Sequence, residues 1–138
     1  MNWELIFKIL ITGVGAVFGF LFGGWSVLLQ VLLVFMAIDY ITGIIASFIE
    51  GKLSSKIGFK GILKKVAIIL IVVASHLIDL ALIAEGFTSK EMIMDSVVFF
   101  YLGNELLSFT ENAGRMGVPL PAQLTNAVAV LKSKGEDK

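Results

Sequence analysis

The sequence predicts an all-α integral membrane protein, and three observations carry that expectation. Hydrophobic residues make up 57% of the 138 residues and charged residues only 16%, too little polar surface to cover a soluble domain. Between residues 9 and 38 the chain carries no charge at all, and about 20 apolar residues are enough to cross a bilayer's hydrocarbon as a helix. The run stops at Asp39 but resumes as Tyr40-Ile41-Thr42-Gly43-Ile44-Ile45. A carboxylate is thereby placed inside the membrane, where ionisable groups are expensive and usually functional.

Glycines divide the long apolar region. Gly23-Gly24-Trp25-Ser26 combines a turn signal with an interfacial aromatic, so a tight hairpin is expected between a first helix at about 5–22 and a second at about 27–49. The first has no small-residue cleavage site at its end and reads as an uncleaved segment rather than a signal peptide. Residues 50–65 then carry Lys52, Lys56, Lys60, Lys64 and Lys65 against Glu50 alone, which reads as a basic loop. A third span is expected at about 66–84, a short acidic connection after it, and a fourth helix at about 92–114. If the first helix lies along the surface, three spans remain. Gly117-Val118-Pro119-Leu120-Pro121 breaks the fourth helix, and Pro121 suits the first turn of a short terminal helix bearing Leu124, Val128 and Leu131 on one face. The rest of the 121–138 tail, from Lys132 on, is expected to fray in water. Residues 1–138 thus form one membrane domain.

The lysines set the expected orientation. Five in one short loop should stay in the cytoplasm, and with four spans the C-terminus joins them there. Ile57, Phe59, Ile62 and Leu63 alternate with these lysines, so the segment suits a membrane surface, with lysines near anionic headgroups.

Composition also closes off several classes of function. Net charge is zero, which argues against nucleic acid as a partner. Without cysteine there is no disulfide, thiolate metal site or Cys nucleophile, and one histidine cannot make a multi-His cage. No cofactor, metal or catalytic site is expected, and the chain does not read as an enzyme.

Polar residues within the spans are the candidate sites. Asp39 lies eleven residues before Glu50 and His76 eleven after Lys65, so each is expected about 16 Å from the cytoplasmic boundary at 1.5 Å per residue. On that arithmetic Asp39 and His76 meet at one level, with Asp79 one turn from His76 on the same face. The three either hydrogen-bond to fix helix packing, or line a polar path or sense protonation. On the fourth helix Tyr101, Asn104, Glu105, Ser108, Glu111, Asn112 and Arg115 form a polar stripe opposite Leu102, Leu106 and Phe109. Such a helix rests in the interface, packs its stripe on other helices or lines water. Asp39, Thr42, His76, Asp79, Asn104, Glu105, Ser108 and Glu111 are the candidate cluster or pore lining. Gly15, Gly19 and Gly23 recur every four residues on the first helix, a spacing that serves close packing within one subunit or between subunits.

Several strings stand in a fixed order: Asp39-Tyr40-Ile41-Thr42-Gly43, then Ser54-Ser55-Lys56 with Gly58-Phe59-Lys60-Gly61 and Lys64-Lys65, then His76 with Asp79. Asn104-Glu105-Leu106-Leu107-Ser108, Glu111-Asn112 and the closing Gly117-Val118-Pro119-Leu120-Pro121 follow. Together, over about residues 39–131, they resemble the toxin secretion/phage lysis holin family. The resemblance implies a homo-oligomeric protein of a bacterial host's cytoplasmic membrane that opens lesions through which an endolysin or a toxin leaves. It supplies no catalytic residues. The rival readings are a small ion or proton channel or transporter subunit, and a non-conducting membrane adaptor.

Overall fold

A computed structural model describes residues 2–137. Five helices follow in order: α1 (Trp3–Phe22), α2 (Val27–Ile49), α3 (Ser55–Ala84), α4 (Ile93–Arg115) and α5 (Ala122–Asp137). Side-chain oxygens start the first three. Asn2 accepts from the Leu5 N–H, Ser26 from Leu29 and Ser54 from Ile57, each satisfying a donor that the first helical turn leaves orphaned. Helices α2, α3 and α4 end alike. Gly51, Gly86 and Gly117, at φ of 69°, 77° and 77°, reverse the chain so that the last carbonyls are met by following amides. The Gly23-Gly24 hairpin falls where the sequence places it.

Two boundaries differ from expectation. Helix α3 begins at Ser55, so most of the expected 50–65 loop is helical and the true turn spans only residues 50–54. Lysine is a good helix former, and Lys56, Lys60 and Lys64 recur every four residues along one exposed face. A charge-based reading takes such a stretch for a loop. The tail also differs: α5 continues to Asp137 and folds back along α4 instead of fraying at Lys132.

Helix α4 is the central element. It packs against α2, α3 and α5, whereas α2 and α3, though consecutive, barely touch. The core joins Leu29, Leu32 and Met36 of α2 to Val72 of α3 and Met94, Val98 and Leu102 of α4, with Leu131 of α5 against it. Helix α1 has no buried residue and reaches the bundle through Phe18 and Phe22 near its C-terminal end. Among the described residues three helices, α1, α2 and α3, are long and apolar enough to cross a membrane. Exposed Phe20, Val34, Leu70 and Ile78 give them an outer surface suited to hydrocarbon rather than water. The polar stripe of α4 keeps it out of that set, and the stripe faces the other helices instead.

Candidate functional site

Where α2, α3 and α4 meet, a chain of polar contacts replaces the apolar core. The Lys65 ammonium of α3 is held by two carboxylates, Asp39 of α2 at 2.6 Å and Glu105 of α4. The side chains of Asp39 and Glu105 are only 12% and 6% exposed, so both acids rely on this single cation. Asn112 continues the chain. Its amide N–H groups point at Asp39 Oδ1 and the Asp39 carbonyl, both at 3.0 Å, and at Thr42 Oγ1 at 3.1 Å. Two protons for three acceptors means a shared bond, and the Thr42 hydroxyl in turn donates to the Ile38 carbonyl. Arg115 closes the run: it donates to Asn112 Oδ1 at 3.2 Å, Ser47 Oγ at 3.2 Å and Glu50 at 2.7 Å. Three helices are thus tied by one network from Glu50 to Glu105.

Small residues make the approach possible. A Cβ on Gly43 would sit 3.5 Å from the Asn112 amide, and one on Gly61 would press on the Tyr40 ring at 3.3 Å. The Tyr40 hydroxyl donates to the Gly58 carbonyl at 3.3 Å. Beside the network lies a cavity of about 310 Å³, bordered among others by Tyr40, Lys64, Lys65, Glu105, Ser108 and Asn112.

Asp39 therefore meets Lys65 rather than His76, which lies eleven residues further along α3. The correction follows from the shortened turn. Measured from Ile49 and Ser55, the two helix ends beside it, Asp39 and Lys65 each lie ten residues away. His76 and Asp79 occupy the opposite end of the bundle. Asp79, 1% exposed, accepts the N–H groups of Met92, Ile93 and Met94 at 3.3, 3.0 and 2.7 Å and so caps α4 from a neighbouring helix. His76 is buried with Nδ1 3.0 Å from a Glu91 carboxylate oxygen, out of hydrogen-bond alignment. Gly23 lies on its ring, where a Cβ would come within 2.7 Å. This contact anchors the hairpin end of α1.

Of the other candidates, Thr42 and Glu105 join the network, Ser108 borders the cavity, Asn104 is half-buried and Glu111 is exposed. A Cβ on Gly15 or Gly19 would meet nothing within 4 Å, so packing inside the subunit does not use them. Lys52, Lys56, Lys60 and Lys64 are exposed, and Lys65 alone turns inward. Sequence reasoning placed Lys65 in a loop and passed over Ser47 and Glu91. The available signal for Lys65 was Ser54, a helix-capping residue that starts α3 early enough to carry Lys65 beside Asp39.

At the turn end, the hydrogen bond from Arg115 holds the Glu50 carboxyl below its ordinary value of 4.5, more than burial pushes it up. A lowered carboxyl contributes stability that is present above the ordinary value and is lost as pH falls through the lowered one. Acidification below about pH 4.5 should therefore loosen this link. The Glu50→Gln protein should lack that component of the acid dependence of thermal melting; an identical acid profile for both proteins would contradict it.

Three membrane-competent helices packed with an amphipathic fourth, its polar face met internally, define a small multi-pass helical membrane protein. The chain belongs to the bacteriophage holin family, whose family model matches residues 16–133. An uncharacterized protein of Listeria innocua is 48% identical over 98% of this chain and 93% of its own length. One from Halalkalibacterium halodurans is 41% identical over 94% and 96%. A probable holin of Bacillus phage phi105 is 33% identical over 80% of this chain and 78% of its own. No solved structure matches.

Proposed function

We propose that this protein oligomerises in a bacterial cytoplasmic membrane and permeabilises it, letting an endolysin or a toxin leave, and that the compact bundle is its closed form. The basic face of α3 lies in the cytoplasm in this reading, as the lysine distribution favours. One observation carries it: the polar face of α4 is neutralised inside the subunit by Asp39, Lys65 and the Arg115 contacts. A helix so polar has no structural need of such groups in lipid, yet here they are kept and hidden. Loosening the network turns Asn104, Glu105 and Ser108 toward water, and subunits that do so together form a wetted wall.

The channel reading drew on Asp39, His76 and Asp79 acting together. It gains no support from a geometry in which Asp79 is engaged in capping α4 and His76 lies at the far end from Asp39. Replacing Asn104 and Glu105 together with leucine tests the proposal. The Asp39–Lys65 pair stays balanced, so the variant should insert normally while loss of membrane potential on induced expression disappears. Permeabilisation at the wild-type rate would sink the idea.

A further inference from the structure

The stripe of α4 is covered, but another polar face at membrane depth is not. Helix α5 runs antiparallel to α4 and in intimate contact with it. A Cβ on Gly103 would fall 2.6 Å from Lys132 Cγ, and one on Gly135 would fall 2.6 Å from the Phe100 nitrogen. Phe100 lies six residues past Met94, whose amide Asp79 holds, and five before Glu105, which Lys65 holds. The C-terminal turns of α5 therefore reach the level of Val72, midway between Lys65 and Asp79 on the spanning helix α3.

Along its length α5 is two-faced. Val128 and Leu131 pack inward, whereas Gln123, Asn126 and Lys134 are exposed on the outer side, along with Val130. The outer surfaces of α1, α2 and α3 are apolar, with Phe20, Val34 and Leu70 exposed. The bundle is thus sided. Lys134 facing hydrocarbon near mid-depth, with Asn126 and Gln123 on the same face two and three turns nearer the cytoplasmic end, is strongly disfavoured, so a docked α5 demands water on its outer side.

We infer that α5, docked on α4, lines the aqueous path of the assembled protein through its Gln123–Asn126–Lys134 face. The inference rests on the permeabilising role proposed above and assigns the wall of the opening to a segment with too little apolar surface to span alone.

The chain has no cysteine, so single thiols can be placed in the full-length protein without background. Asn126→Cys and Lys134→Cys test the outer face, Leu124→Cys and Val128→Cys the opposite side. All are reconstituted into dye-loaded vesicles and exposed to a membrane-impermeant, charged thiol reagent. Modification at the first two should slow dye efflux severalfold, with the second two protected. Equal reactivity at all four sites, or efflux unchanged by modification at the outer face, would overturn the assignment. No efflux from the unmodified chain would instead overturn the permeabilising reading, and this one with it.

Discussion

Lys65→Met should destabilise the bundle by about 3–5 kcal/mol, the usual consequence of removing one partner from a buried ion pair. The cause is local. Asp39 and Glu105 both point at the Lys65 ammonium from α2 and α4. Without it, two carboxylates face one another in a region where charge is poorly solvated, and Asn112 reaches only one carboxylate oxygen of Asp39. The loss should be specific to charge. Adding Asp39→Asn and Glu105→Gln to Lys65→Met removes the unpaired anions and should recover most of the stability, since neutral amides cost far less to bury than uncompensated ions. Thermal unfolding of the solubilised wild-type, single and triple variants measures the differences. Equal melting of wild type and Lys65→Met would show that the network holds nothing together. In cells, the single variant should permeabilise earlier than wild type, because the form that hides the α4 stripe is the form it weakens.

Asp79→Ala should be nearly as damaging, at the other end of the molecule. The backbone of Met92, Ile93 and Met94 presents three N–H groups that α4 itself cannot satisfy, and one carboxylate accepts them all. A buried donor left without an acceptor costs about 1–3 kcal/mol, and the Met94 amide is the buried one of the three, so the loss should be on the order of 2–3 kcal/mol. Asp79→Asn keeps one acceptor oxygen and should lose clearly less. Hydrogen exchange at the three amides reports the effect directly: slow in wild type, intermediate in the asparagine variant, fast in the alanine variant. Unaltered protection in Asp79→Ala would contradict the capping role.

These two residues also mark the boundary of what the sequence discloses. Helix existence was legible because hydropathy and punctuation agree: the uncharged run, the Gly23-Gly24 hairpin and the Gly117-to-Pro121 breaker all lie on the surface of the string. The amphipathic stripe of α4 was legible from its spacing, and Glu105 and Thr42 are among the residues that the sequence offers for a polar cluster. Their partner was not. Lys65 sits among lysines that look alike in sequence, and only the start of α3 at Ser55 distinguishes the one that turns inward. A shift of that start moves the level partner of Asp39 along α3, from His76 to Lys65. Asp79 was read by its neighbours on α3, but its acceptors serve the next helix, a relation that no periodicity within α3 encodes. The docking of α5 depends on Gly103 meeting Lys132 and Gly135 meeting Phe100, which depends on tertiary approach rather than on either segment alone.

The most direct test of the central claim is induced expression of the wild-type chain in a bacterium that also makes a soluble protein of endolysin size, with membrane potential and release followed together. A permeabilising protein with a closed form predicts a silent interval of accumulation, then abrupt collapse of the potential with escape of the soluble protein. Selective ion flux with the soluble protein retained, or no change in permeability at any expression level, would contradict it.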